Sequence, residues 1–189
     1  MKRIKGTKIP LSILKEFQKF GSLLWQRGLI SYQAGNISIL RSNSIIIKKR
    51  GASLGFLEKK DLVIAPLKGE MTEASSELPT HQAIYKKTDA RAIIHSHPSH
   101  AVILSLILDE INPLDTEAPI LIGNKIPVIK GSPEEIAEVL KDHKIVIVKG
   151  HGSFAKGKSL EEAFSITTTL EHSCYVLWGK VVVSSSHLR

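Results

Sequence analysis

The spacing of hydrophobic residues changes along the N-terminal part of the chain, and each spacing predicts a different element. Between residues 10 and 27, apolar side chains recur every three or four positions, which is the spacing of one helix face. Residues 36–41 alternate polar and apolar side chains, and residues 44–48 form a short apolar run. Because only a short gap separates these two segments, we expect a helix followed by a β-hairpin.

The rest of the chain alternates short apolar runs with longer segments that carry helix-start signals. These signals are a capping serine, an early proline and acids in the first turn. The predicted order is strand 62–65, helix 76–87 capped by a serine, strand 92–95, helix 98–108, polar loop 109–119, strand 126–130, a helix opening at Ser132, strand 145–149, a long helix from Ser159 to about Trp178, and a tail over 180–189 that forms a last strand or stays mobile. No repeat or linker divides the chain, so we expect a single domain over residues 1–189.

The amino-acid composition indicates the class of protein and the cellular compartment to expect. Apolar residues make up 42% and charged residues 23%, which is typical of a globular protein with a substantial core. No apolar run approaches the roughly 20 residues that cross a bilayer, so no membrane association is expected. The single cysteine, Cys174, excludes an internal disulfide framework and favours a reducing compartment. We therefore expect a cytoplasmic protein in which Cys174 is a small buried residue.

A net charge of +8 raises the question of an anionic partner. The lysines are scattered, with residues 48–50 as the densest basic cluster after the N-terminus, and aromatic residues make up only 5%. No stacking platform or recognition helix is apparent, so no nucleic-acid partner is expected. A solvated basic surface and the attraction of an anionic small substrate both remain open.

Two histidines at the end of an apolar run give the strongest chemical signal. His95 and His97 lie two positions apart, and side chains two apart on a strand face the same side. A third histidine, His151, lies between two glycines after the apolar run 145–149. Three imidazoles with a position left open are typical of a catalytic zinc site, although Mn²⁺, Co²⁺ or Fe²⁺ would also suit them. We predict a metalloenzyme; for His151 the alternative is a loop residue that hydrogen-bonds its neighbours.

A carboxylate beside the ion would supply the base that such chemistry needs. Glu77 follows two serines at a predicted helix start. An acid there commonly complements the helix dipole. Near a metal site, the same group could move a proton to or from a bound substrate, and that is the role we predict.

Several small or cationic residues could form an anion-binding site. Backbone amides at a helix start and in glycine turns bind anions, and an arginine offers a charged fork for a phosphate. The alternatives are an ordinary turn, a helix cap and an exposed arginine at a strand end. The candidates are Gly35, Asn36, Arg50, Gly51, Ser75 and Ser76. His100 is a candidate for a substitute metal ligand or for a group that contacts the ligands, and packing on a helix face is the favoured alternative.

Taken together, these residues resemble the class II aldolase and adducin-head family. The matching segments follow the family's order and span roughly residues 10 to 180, and each segment alone is short. They are 34–38 (Ala-Gly-Asn-Ile-Ser), 74–77 (Ala-Ser-Ser-Glu), 83–85 (Ala-Ile-Tyr), 95–97 (His-Ser-His), 150–152 (Gly-His-Gly) and 160–163 (Leu-Glu-Glu-Ala).

The resemblance implies a fold, an assembly and a reaction. The fold is α/β of the α+β type, a three-layer arrangement with a central, mostly antiparallel sheet flanked by helices. The assembly is a homotetramer with active sites between subunits. Zinc would be held by His95, His97 and His151, and Glu77 would be a ligand in the empty enzyme and an acid/base once substrate binds. The reaction is reversible cleavage of a ketose 1-phosphate, like fuculose 1-phosphate, to dihydroxyacetone phosphate and a small aldehyde through a metal-stabilised enediolate.

The resemblance leaves other members of the family open. Glutamate at position 77 is similar to the aldolases, whereas the epimerases typically place aspartate there, and the following segment 79–81 looks more like an epimerase. A pentulose-phosphate 4-epimerase, a sugar-phosphate dehydratase on the same metal site, and a non-catalytic module like the adducin head are the alternatives. The presence of all four candidate metal and base residues favours an enzyme over the last of these.

Two departures affect the family's phosphate pocket. Gln33 and Arg50 stand where small hydroxyl residues are usual. Phosphate recognition is therefore expected to differ here. The C-terminal segment holds no tyrosine after Tyr175, so the proton-donor tyrosine of the relatives has no counterpart there.

Overall fold

The computed structural model describes residues 9–185, in which eight strands form one sheet. Their order across the sheet is β3-β2-β1-β4-β8-β7-β6-β5. All neighbours are antiparallel except β6 and β7, which are parallel. The strands are β1 (Asn36–Arg41), β2 (Ser44–Lys48), β3 (Leu62–Pro66), β4 (Ala92–Ser96), β5 (Glu110–Ile111), β6 (Ile126–Ile129), β7 (Ile145–Val148) and β8 (Gly152–Gly157).

Helices cover both faces of this sheet because its central strands are apolar on both sides. In β2, Ile45 and Ile47 pack with helices α2 and α5, whereas Ile46 packs on the opposite face with α1. Helices α3 and α6 cover the β7 end of that second face. The helices are α1 (Leu11–Gln26), α2 (Leu78–Lys87), α3 (Ser99–Ser105), α4 (Ala118–Leu121), α5 (Pro133–Val139) and α6 (Leu160–Ser185), with 3-10 turns at Leu54–Phe56 and Lys59–Asp61.

The predicted α/β fold with a mostly antiparallel sheet between helices is confirmed. The first helix and the hairpin are also found where the sequence pattern predicts them, and the hairpin turns at Ser42, which has a φ of 53°. Cys174 is buried, as expected, and burial raises the pKa of its thiol. Within residues 9–185, no helix combines the length and the apolar content that a membrane span requires.

Four local predictions are wrong. Helix α2 begins later than predicted, and its N-cap is Glu77 and not a serine. The predicted loop 109–119 contains the strand β5 and the start of α4, and strand β8 was not predicted at all. The tail predicted as a strand or a mobile segment continues α6 to Ser185; the remaining residues of that tail, 186–189, lie outside the described part of the chain.

Candidate active site

The two central strands β4 and β8 position the first histidine. His95 pairs with Phe154 of β8 on one side and with Asn36 of β1 on the other. Its ring is buried and stacks on Phe154, with centroids 4.2 Å apart. The His95 Nδ1 atom lies 3.0 Å from the carbonyl oxygen of Ser153, and because a carbonyl only accepts, Nδ1 donates. The second ring nitrogen, Nε2, is therefore the unprotonated one, which is the form a metal ligand requires.

The other two histidines reach the same point from the ends of strands. His97 follows β4, and its Nε2 lies 3.0 Å from Nε2 of His95. His151 lies in the tight turn between β7 and β8, and its ring centroid is 4.8 Å from that of His95 and 5.1 Å from that of His97. The potential ligand atoms of all three lie within 4.8 Å of one another. The structure therefore brings together the three histidines that the sequence predicts.

Glycines allow this close approach. Gly150, before His151, has a φ of 69°, which an L side chain rarely adopts. A Cβ on Gly152 would lie 2.3 Å from the backbone oxygen of Ser96 and 2.7 Å from the His97 ring. A side chain at position 152 would thus displace the strand or the second histidine.

Burial and mutual repulsion keep the first two histidines neutral. Burial, and then the neighbouring His97 and His151, hold the pKa of His95 well below its usual range. Burial, followed by the charges of His151 and Lys48, lowers the pKa of His97 to about 4. Adjacent ligands on a tetrahedral zinc with Zn–N bonds of about 2.0–2.1 Å would be roughly 3.3 Å apart, close to the 3.0 Å between the first two rings. Three imidazoles with converging nitrogens fit a divalent ion.

The predicted base lies in the wall of the same pocket. Glu77 is half-buried at the N-terminus of α2, and its Oε2 accepts a hydrogen bond of 2.8 Å from the hydroxyl of Thr80. Its carboxylate is not part of the three-histidine cluster. Its role as a fourth ligand and as a base stays a prediction.

A short bridge at the end of β2 brings the anion-binding candidates together. Lys49 pairs with Ala74, so that Ser75 N donates to Lys48 O (3.1 Å) and Arg50 N to Glu73 O (3.0 Å). The segment before α2 is thereby held beside the end of β2. All six predicted anion-binding residues line the pocket: Gly35, Asn36, Arg50, Gly51, Ser75 and Ser76. Gln33 lines it as well.

Lys48 is a pocket residue that the sequence interpretation missed. It is only 3% exposed, and its ammonium donates to the backbone oxygens of Gln33 (2.8 Å) and Ala52 (2.6 Å). Burial lowers its pKa to about 8. A signal was available, since strand alternation places this lysine on the same buried side as Ile46, whereas its basic neighbours made it look solvent-exposed.

His100 does not belong to the pocket. Its Nδ1 lies 2.7 Å from a carboxylate oxygen of Glu171, and its ring packs against Tyr175 and Trp178. It is therefore a packing and hydrogen-bonding residue between α3 and α6. His81, which the sequence marks only as part of the epimerase-like segment 79–81, is completely buried behind the pocket wall and hydrogen-bonds Asn36.

Comparison with known proteins extends the similarity over most of the chain. Residues 15–178 match the family model described as Class II Aldolase and Adducin N-terminal domain. The L-fuculose phosphate aldolase of Methanococcus maripaludis is 33% identical over 168 residues, which cover 84% of this chain and 92% of the relative. The 3-oxo-tetronate 4-phosphate decarboxylase of Escherichia coli is 26% identical over 188 residues, covering 90% and 88%. The crystal structure of L-fuculose-1-phosphate aldolase from Thermus thermophilus superposes with a TM-score of 0.90 at 32% identity, covering 95% of this chain and 100% of that one.

Proposed function

This chain belongs to the class II aldolase and adducin family, and we propose that it is a metal-dependent aldehyde-lyase of sugar-phosphate metabolism. It would cleave a ketose 1-phosphate, such as fuculose 1-phosphate, reversibly to dihydroxyacetone phosphate and a small aldehyde. One observation carries the proposal: three imidazoles converge on one side of a pocket whose other side offers a lysine, an arginine and amide donors. The L-fuculose phosphate aldolases among its relatives support the choice of substrate class.

We propose zinc as the resident ion, with His95, His97 and His151 as its ligands; Mn²⁺, Co²⁺ and Fe²⁺ suit the same nitrogen donors. Once bound, the ion would polarise substrate oxygens as a Lewis acid. The hydrogen bond from His95 Nδ1 to the backbone of Ser153 fixes the tautomer and the orientation of the first ligand.

Glu77 is the proposed acid/base. In the direction of synthesis, its carboxylate would take a proton from the hydroxymethyl carbon next to the ketone of dihydroxyacetone phosphate. That carbon then bonds to the aldehyde carbon, whose oxygen takes up a proton from water as it becomes a hydroxyl group. In cleavage, that hydroxyl proton returns to water and Glu77 gives its proton back to the hydroxymethyl carbon. The Thr80 hydroxyl holds the carboxylate in the pocket wall and would orient it for this transfer. Glu77 would also be the fourth ligand in the empty enzyme, as its resemblance to the family implies.

The side of the pocket away from the histidines would bind the phosphate. Lys48 and Arg50 provide positive charge, and the backbone and side chains of Ser75, Ser76 and Asn36 provide hydrogen-bond donors. Gln33 adds an exposed amide at the rim in place of a small hydroxyl residue. We therefore propose a phosphate site with longer side chains and more positive charge than is usual in the family.

A homotetramer with shared active sites is also proposed, built from single-domain subunits of residues 1–189 in the cytoplasm. Apolar residues of α3 and the turn after it are exposed next to the histidine cluster: Ile103 is 47%, Leu106 60% and Ile107 73% exposed. This patch adjoins the His151 turn, because Gly150 N donates to Ser105 Oγ at 2.9 Å. A second copy covering the patch would lie at the mouth of the pocket. Light scattering should give the mass of four chains, and a Leu106→Lys variant should lower both mass and turnover.

An epimerase or dehydratase on the same site is the second candidate. The epimerase-like segment 79–81 is in direct contact with the base, since Thr80 hydrogen-bonds Glu77. The similarity to a 3-oxo-tetronate 4-phosphate decarboxylase adds a fourth reaction, on a phosphorylated sugar acid. All four reactions would use the same pocket and differ in which substrate bond faces the base.

The deciding experiment compares substrates on one preparation. The purified chain, loaded separately with Zn²⁺, Mn²⁺, Co²⁺ or Fe²⁺, is incubated with fuculose 1-phosphate, ribulose 5-phosphate and 3-oxo-tetronate 4-phosphate. Triose phosphate released from the first substrate supports the aldolase. Inversion of ribulose 5-phosphate without cleavage, or release of carbon dioxide, would replace it by one of the alternatives. A chain that binds no divalent ion and converts none of them would be a non-catalytic module.

A further inference from the structure

Four buried polar side chains form a hydrogen-bonded row behind the pocket wall. Tyr85 OH lies 2.8 Å from Ser38 Oγ, and Ser38 Oγ lies 2.6 Å from His81 Nδ1. The other ring nitrogen, His81 Nε2, bonds the side-chain oxygen of Asn36. Ser38 and His81 are 0% exposed, and the row ends at Asn36, which lines the pocket.

The chemistry of the groups fixes the direction of every bond in this row. The amide oxygen of Asn36 only accepts, so His81 Nε2 must donate to it. Complete burial lowers the pKa of His81 to about 3, so that the ring is neutral and carries one proton. Its Nδ1 is then an acceptor, and Ser38 must donate to it. The single proton of Ser38 is thereby used, which leaves the Tyr85 hydroxyl as donor to Ser38.

This direction determines which end of the Asn36 amide faces the pocket. The oxygen is held by His81, and within residues 9–185 the amide nitrogen has no hydrogen-bond acceptor. The amide therefore presents two N–H donors toward the pocket. Asn36 also pairs with His95 across β1 and β4, so these donors lie beside the histidine cluster.

We propose that His81 is a positioning residue that locks the Asn36 amide with its nitrogen toward the substrate. The group recognised is a substrate oxygen that accepts hydrogen bonds, and an amide turned the other way would repel it. The inference rests on the proposed function for its substrate. It concerns a residue that touches neither substrate nor ion.

The kinetic test uses a double-mutant cycle on the substrate that the enzyme turns over. His81→Leu frees the amide and should lower kcat/KM about 10- to 100-fold, since one charge-assisted or buried hydrogen bond is lost. His81→Gln, whose amide nitrogen can reach the Nε2 position and donate, should recover the rate to within about fivefold. Tyr85→Phe removes the far end of the row but leaves Ser38 donating to His81, and should stay within about threefold.

The cycle separates positioning from a general structural effect. In an Asn36→Ala background, His81→Leu should lower kcat/KM less than twofold further, because the amide that it orients is gone. An equal loss in both backgrounds, or a failure of His81→Gln to recover activity, would overturn the proposal.

A spectroscopic readout keeps the test independent of turnover. In ¹⁵N-histidine-labelled protein, the ring resonances of His81 should report an unprotonated Nδ1 and a protonated Nε2. A protonated Nδ1 would reverse the row and refute the inference, even in an active enzyme. If none of the substrates is converted but the expected tautomer is found, the proposed function fails while the orientation of Asn36 stands.

Discussion

The pocket has a histidine side, formed by His95, His97 and His151, and a loop side, formed by Gln33, Lys48 and Arg50. The histidine side lies at the ends of the central strands β4, β7 and β8, where strand register fixes His95 and the strand ends from which His97 and His151 project. The loop side lies where the chain leaves the strands. There, a buried ammonium joins two backbone segments that no strand pairing connects.

The two sides of the pocket differ in how firmly their residues are held in place. A histidine in a sheet centre is held by neighbours on both sides, so its geometry follows from the fold. A loop residue needs a specific polar contact to be held, and here Lys48 provides it through the carbonyls of Gln33 and Ala52. Changes on the histidine side should therefore abolish function, whereas changes on the loop side should weaken or redirect it.

Removing one of the proposed metal ligands should have the largest effect. His97→Ala should lose the bound metal and lower turnover roughly 1,000-fold or more, because several kcal/mol of charge stabilisation disappear. Metal content by mass spectrometry and turnover should fall together. His172→Ala, an exposed histidine on α6, is the matched control and should keep both. Full metal occupancy in the first variant would contradict the ligand assignment.

Neutralising the proposed base should separate metal binding from turnover. Glu77→Gln should retain metal yet lower kcat about 100- to 10,000-fold, because an amide cannot take up the proton. Glu73→Gln, an exposed glutamate in the same segment, should behave like the unmodified protein in the same assay. Near-normal turnover in the first variant would remove Glu77 from the mechanism.

Substituting the buried lysine of the loop side should raise KM more than it lowers kcat. Lys48→Met removes a buried charge and leaves two carbonyls without their donor, and we expect KM to rise about 10- to 100-fold. Steady-state kinetics against Lys49→Met, which removes a charge one position away, measures the difference. An effect mainly on kcat, with metal binding intact, would place this lysine with the histidine side instead.

Acid should weaken the protein through its buried histidines, with the smallest effect of the four. The pKa of His81 is lowered by burial to about 3, so the unfolded chain binds a proton that the folded chain does not. Stability is full above about pH 6.5 and falls as pH drops from there toward 3, by about 1.4 kcal/mol per pH unit for each such group. Urea unfolding of metal-free protein at pH 7.5, 6 and 5 should show this, and His81→Gln should flatten the slope by one proton. An unchanged slope in His81→Gln would contradict this prediction. His172→Gln is the control and should keep the slope of the unmodified protein.

The sequence predicts most of the histidine side because strand alternation is simple. Two histidines two positions apart in an apolar run had to face one way, and His151 was marked by its flanking glycines. Strand β8 was missed because it contains none of the β-branched residues that are typical of strands. Four of its six residues are small: Gly152, Ser153, Ala155 and Gly157. Neighbouring strands lie so close that larger side chains would not fit, as the contacts of Gly152 show. This crowding arises only in the folded structure and cannot be read from the sequence.

The loop side and the tail were harder to predict for different reasons. Lys48 was hidden by its basic neighbours, and its ammonium is held by the carbonyls of Ala52, four positions later, and of Gln33 in a separate loop. Residues 181–183 are three valines, which favour a strand by local propensity, yet they continue α6. Helix propagation from the packed part of α6 outweighs that propensity, which is small per residue.

The pairing of Asn36 with His95 has a consequence for how this scaffold diversifies. Strand pairing fixes the Asn36 amide beside the histidine cluster, whereas residues 50–53 lie beyond the last paired residue of β2. If the proposed function is correct, exchange of residues 50–53 should change which phosphate ester binds without moving the histidine cluster. A few substitutions in this stretch should then be enough to change the substrate preference.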